Sequence, residues 1–205
     1  MDDLVPVLFV LFVALTTFAL LLSVRPAPEI LVVVVAGHGG HDPGAVVNNV
    51  QEKDINLTLA LLVQKKARDA GLKVVLTRTT DVYVDLVERV RMAETLGASL
   101  YVSIHANYHR DVKVCGVETW VDTKAHAESV RLAESLQRAV VITSGAVDRG
   151  VHRQTLYLRH TSLPAALIEV GYISCPAERE KLLDPVHQER IAAGIVQGIL
   201  SYLGR

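Results

Sequence analysis

Charge imbalance is the first thing missing from this sequence: 21 Lys and Arg stand against 22 Asp and Glu, for a formal charge of −1, and no basic run is longer than Lys65-Lys66. A nucleic-acid partner needs a concentrated positive surface, so binding to DNA or RNA is not expected. Cysteine is nearly absent as well. Cys115 and Cys175 are too few for a disulfide framework and lack the spacing of a metal finger. Each reads as a small buried hydrophobe, and a single bridge between them is the alternative if the domain lies outside the cytoplasm. There is no internal repeat, no low-complexity tract and no short helical metal motif such as HExxH. Any metal must therefore be held by residues from separate loops.

What is present is hydrophobic residue, half of a 205-residue chain, enough for one well-filled domain and an appendage. The appendage is at the front. Leu4 to Val24 is 21 residues without a charge, long enough to span a membrane as a helix. Asp2-Asp3 in front of it, its length and the poor cleavage pattern at Arg25-Pro26-Ala27 favour an uncleaved signal anchor over a cleaved signal peptide. The expected division is an anchor at 1–25, a stiff linker at 26–29 containing two prolines, and a domain at 30–205. Arg25 alone, on the carboxyl side of the anchor, argues by the positive-inside tendency for a cytoplasmic domain.

Within the domain, Leu31 to Val35 is a continuous branched apolar run cut off by the Gly-rich stretch AGHGGHDPG, as in a strand buried on both faces. His38 then falls at the strand's carboxyl end. Leu100 to Ile104 stops at His105, and Ala165 to Ile168 stops at Glu169. Open α/β sheets place their chemistry outside the carboxyl ends of their strands. If the three strands are parallel neighbours, His38, His105 and Glu169 meet at one sheet edge. Glu52, just ahead of the helical segment Ile55 to Ala70, reaches the same edge.

The remaining pattern alternates strands and helices: strands at Val74–Leu76, Gly116–Val121 and Thr155–Leu158, helices capped by Asp54, Asp85 and Ser174, another over Lys124–Val140, and a last one starting at Asp184-Pro185. This is an α/β fold with helices on both faces of one sheet. Two imidazoles and a carboxylate are a normal first shell for a catalytic zinc, and a second carboxylate beside it can move the proton of a water. The four residues suit metal-assisted hydrolysis of an amide. His41 is a rival to His38, Asp42 and Asp54 are rivals to Glu52, and the histidines have a purely structural reading too.

The ordered strings AGHGGHDPGAV, EKDINL, VLTR (Val75–Arg78), SIHAN (Ser103–Asn107) and LIEVGYIS (Leu167–Ser174) together resemble the zinc-dependent N-acetylmuramoyl-L-alanine amidases, over nearly all of residues 30–203. The resemblance implies a mixed, largely parallel sheet with helices on both sides. It implies one zinc held by His38, Glu52 and His105, Glu169 as the catalytic residue, and peptidoglycan as substrate, cut between the lactyl group of muramic acid and the first alanine. The chain departs from the family in having Val35-Ala36 where Asp-Pro is usual, and Cys175 where asparagine is common. Ten residues between His105 and Gly116 leave no room for the blocking helix of some division-associated relatives, so an open cleft is expected.

Around the site, Tyr108, His109, Arg110 and Arg159 are candidates for the substrate groove, and Asn107 for shaping the site. Arg78 and Arg89 are expected in ion pairs, and His126, His152, His160 and His187 at the surface or in the core. A peptidoglycan substrate requires export of the domain despite Arg25, held at the membrane by its anchor. The competing readings are a zinc peptidase acting on wall peptides and a wall-binding scaffold without catalysis.

Overall fold

The computed structural model describes residues 30–205, so the expected anchor and linker lie outside the described residues. Among the described residues no helix is long and apolar enough to cross a membrane. In chain order the strands are β1 (Leu31–Ala36), β2 (Val46–Val47), β3 (Val50–Gln51), β4 (Lys73–Leu76), β5 (Leu100–Asn107), β6 (Val117–Asp122), β7 (Asp148–Gln154) and β8 (Ala165–Tyr172). The helices are α1 (Glu52–Asp69), α2 (Leu86–Thr95), α3 (Ala127–Ser144), α4 (Pro176–Leu183) and α5 (Pro185–Tyr202), with a 3-10 turn at Tyr157–His160.

Six strands form one sheet in the order β4-β1-β5-β8-β6-β7, and β2 and β3 form a separate hairpin. All neighbours in the sheet are parallel except β6 and β8. The sheet is mixed and largely parallel, as expected, and β1, β5 and β8 are adjacent. That adjacency puts the ends of the three apolar runs side by side. Val32 to Val35 are at most 1% exposed, because helices cover both faces of the strand. On one face Val32, Val34, Ile104 and Ile168 pack with Leu59, Leu136 and Ile195 of α1, α3 and α5. On the other, Val33, Val35 and Tyr101 pack with Val90 and Ala93 of α2 and Leu158 of the 3-10 turn.

Several local readings change. β5 and β8 run on beyond their apolar stretches, pairing His105 with Glu169 inside the ladder, since backbone hydrogen bonding does not stop where hydrophobicity does. Asp54 does not cap α1. The helix starts earlier, at Glu52, with Gln51 as its uncapped first flank, because the β2–β3 hairpin returns the chain so that Glu52 N donates to Ala45 O and Lys53 N to Pro43 O. Thr155–Leu158 is no strand. The strand is β7 just before it, whose sequence DRGVHRQ shows little apolar alternation because it lies at the sheet's edge. Ser174 is not a cap either, since its Oγ accepts from His109 N and Cys175 flanks α4. Asp85 and Asp184 do cap α2 and α5, accepting from the N–H groups of Val87 and of Val186 and His187. The two cysteines are joined, Cys115 to Cys175, which replaces the reading of each as an isolated hydrophobe.

Candidate active site

β1 ends at Ala36 and the chain turns sharply over Gly37–Gly44. Gly37 is needed here because a Cβ at this position would run into the His105 ring. His38 takes a left-handed backbone conformation, φ 60°, which costs a residue with a Cβ and is tolerated where the surroundings force it. Gly44, φ +65°, leaves room that a Cβ would fill at 2.5 Å from Glu52 Oε2 and 2.7 Å from His38 Cδ2. The turn, the β5 ladder and the first residue of α1 thus bring three side chains together.

Glu52 is the hub. Its Oε1 lies 2.9 Å from His105 Nδ1 and 3.1 Å from His38 Nε2, and accepts from Asn56 Nδ2 at 3.1 Å and Ala106 N at 3.3 Å. Its Oε2 accepts from Ala45 N at 3.0 Å. Burial works against ionisation of Glu52, but the hydrogen bonds and charge of His105 and His38 outweigh it and hold the carboxyl far below its usual range. His38 is raised for the reciprocal reason: burial disfavours its protonated form, and Glu52 and Asp42 more than compensate. On its other side, His38 Nδ1 is 2.7 Å from Asp42 Oδ2. The two imidazole rings stand edge to face, 5.0 Å apart.

One donor atom from each of His38, Glu52 and His105 lies within 4.8 Å of the others. Two imidazole nitrogens and a carboxylate are a fitting donor set for zinc, and Asp42 on the far nitrogen of His38 is the orienting contact such ligands usually have. Glu169 stands next to His105 in the ladder, with Glu118 of β6 opposite on its other flank. Its Oε2 is shut off from solvent and has no hydrogen-bond partner. Burial, and then the charges of Glu52 and Glu118, push the carboxyl well above its ordinary value.

The family profile described as N-acetylmuramoyl-L-alanine amidase matches residues 32–201, almost the whole described domain. The chain belongs to this amidase family. It is similar to the N-acetylmuramoyl-L-alanine amidase LytC of Bacillus subtilis, 36% identical over 168 residues that make up 81% of this chain and 34% of LytC. The chain thus spans about a third of LytC's length, whereas YqiI of the same organism, 36% identical over 191 residues, is matched over 92% of both chains. Among solved structures, the catalytic domain of CwlV, an N-acetylmuramoyl-L-alanine amidase from Bacillus (Paenibacillus) polymyxa var. colistinus, superposes with a TM-score of 0.80 at 38% identity, covering 86% of this chain and 99% of that one. An N-acetylmuramoyl-L-alanine amidase from Clostridium difficile gives 0.82 at 36% identity, covering 87% and 98%.

Other residues of the amidase domain are sorted by the fold. His41 lies outside the cluster with its ring on Tyr83, 4.3 Å between centroids. Asp42 combines the expected turn role, accepting from Gly44 N, with the contact to His38. Among the described residues Arg78 and Arg89 form no ion pairs. Arg78 donates to the carbonyls of Ala36, Gly37, Lys53 and Thr80, and Arg89 to those of Val84 and His38, so both clamp the backbone of the site's turns. Arg159 lines a cavity with Asp122 and Ala165, at the end of the sheet where β8 begins and not where Glu169 stands. Tyr108 and His109 follow directly after β5, and Asn107 donates to Glu118 Oε1 at 2.7 Å. Asn56 and Glu118 were not anticipated. Asn56, one helical turn after Glu52, carried the only usable signal.

Proposed function

We propose that this chain hydrolyses the amide bond between the lactyl group of N-acetylmuramic acid and L-alanine in peptidoglycan, using one zinc ion. The observation that carries this reading is the convergence of His38, Glu52 and His105 beside Glu169 where the adjacent parallel strands β1, β5 and β8 reach their carboxyl ends. Bound zinc supplies Lewis acidity and lowers the pKa of water. Glu169 takes a proton from the attacking water and delivers it to the departing alanine nitrogen. A carboxyl with no hydrogen bond to Oε2 and two acids close by keeps a proton readily between these transfers. Asp42 fixes the orientation of His38, while Asn56 and the N–H groups of Ala45 and Ala106 fix Glu52.

The domain acts outside the cytoplasm, where peptidoglycan lies, held to the membrane by residues 1–25. The Cys115–Cys175 bridge supports this placement, because such bonds persist in oxidising compartments. Digestion of purified peptidoglycan with added zinc or with chelator, followed by mass analysis, tests the activity. Zinc-dependent release of intact stem peptides with a free alanine amine is expected. Shortened peptides would indicate a peptidase instead, and no release from any wall preparation would indicate a scaffold.

A further inference from the structure

On the sheet face that carries His105 and Glu169, a cavity of about 200 Å3 extends back from the catalytic row beneath α2 and the 3-10 turn. Leu86, Leu156, Leu158 and Leu167 make it largely apolar. Tyr101 and Ser103, alternate residues of β5 below His105, face it together with Arg89 of α2.

These three side chains make few hydrogen bonds within the protein, and their unpaired N and O atoms are accessible from the cavity and not shut off from it. Arg89, 4% exposed, donates from Nε to Val84 O at 2.8 Å and from Nη2 to His38 O at 3.3 Å. Among the described residues no carboxylate forms an ion pair with it. Tyr101 and Ser103 are 3% and 4% exposed, and among the described residues neither hydroxyl makes a hydrogen bond. Burial pushes the Tyr101 phenol up in spite of the Arg89 charge, so its hydroxyl remains a donor. A buried cation and two unpaired hydroxyls around one cavity ask for an acceptor that carries negative charge. The leucine walls suit the methylenes that would bear it.

We propose that this cavity receives a residue of the leaving peptide that bears a free carboxylate, with Arg89 as counter-charge and Tyr101 and Ser103 as hydrogen-bond donors. The assignment rests on the amidase reading for its choice of arm: the N-acetylated sugar is neutral, whereas the stem peptide carries a free α-carboxylate on its γ-linked glutamate. Arg89 has a second task in holding the His38 turn, so its replacement alone does not separate the two roles. The Tyr101 and Ser103 hydroxyls have none, and Tyr101→Phe keeps the ring that packs in the core.

The test is calorimetric titration of the full chain with L-Ala-γ-D-Glu-L-Lys and with the same tripeptide amidated at the glutamate α-carboxyl. The carboxylate form should bind about tenfold tighter or more, the scale of a hydrogen-bonded charge. Tyr101→Phe with Ser103→Ala should shrink that ratio severalfold. Equal affinities in the wild-type chain, or an unchanged ratio in the double variant, would overturn the proposal. No turnover is needed. A chain that releases nothing from peptidoglycan yet keeps the ratio sinks the amidase reading and keeps the pocket, and one that releases intact peptides without any ratio does the reverse.

Discussion

Breaking the Cys115–Cys175 bond should cost the domain a large part of its stability, and the size follows from where the bond sits. It joins the segment leading into β6 to the start of α4, across 60 residues of sequence. Restricting a loop of that length lowers the conformational entropy of the unfolded chain, worth about 4 kcal/mol at room temperature in the chain-entropy description. For a domain of this size that corresponds to a fall in Tm of roughly 8–16 °C. The folded chain keeps other ties across the same junction, since Glu178 Oε1 accepts from Gly116 N at 2.8 Å and Ile173 N donates to Asn107 O at 2.8 Å. The reduced protein should therefore still fold, only less stably. Trp120, the single tryptophan, lies on β6 and reports the transition by fluorescence. Thermal and urea unfolding would be compared with and without reductant, and repeated for Cys115→Ala/Cys175→Ala. Coincident midpoints with and without reductant would refute the reasoning, and a shift that also occurs in the double alanine variant would show that reductant acts elsewhere.

Glu169→Gln should reduce turnover by about 10²- to 10⁴-fold, the usual contribution of a general acid–base, while zinc binding measured by calorimetry stays near normal; near-normal turnover would remove Glu169 from the proton transfers. Asp42→Asn should weaken zinc binding by roughly 10- to 100-fold, since it takes the charged partner from the far nitrogen of His38, and unchanged affinity in a competition titration would count against the orienting role. The site's turn should also loosen in acid. Asp81 accepts from Lys53 Nζ and Gly40 N, and those contacts hold its carboxyl below the usual value. A depressed folded pKa contributes stability that is present above the unfolded value near 4 and lost as pH falls through the folded value. Hydrogen exchange at Gly40 should accordingly show lost protection below about pH 4, relative to a distant reference such as β5, and Asp81→Asn should show the same reduced protection already at neutral pH.

The sequence by itself determined the class of fold and singled out four residues, His38, Glu52, His105 and Glu169, that the structure brings together. A run such as Leu31 to Val35 can only be buried on both faces, and that requires helices on either side of a sheet. The apolar runs stop at His38, His105 and Glu169, marking where hydrophobic packing gives way to polar side chains even though β5 and β8 themselves run on. Asp85 was legible as a cap, and Asp184-Pro185 as a helix start, because capping is a contact between near neighbours. Three things depended on tertiary structure. The edge strand β7 packs too little apolar surface to leave a pattern. Arg78 and Arg89 look like surface ion-pair partners until the fold closes backbone carbonyls around them. The pairing of Cys115 with Cys175, and of Tyr101 and Ser103 with Arg89 around one cavity, joins residues far apart in the chain or on different elements. Strand order decides which of them meet. Local residue patterns encode burial and chain direction, whereas strand order is set by how all the layers pack at once, which no single stretch of sequence carries.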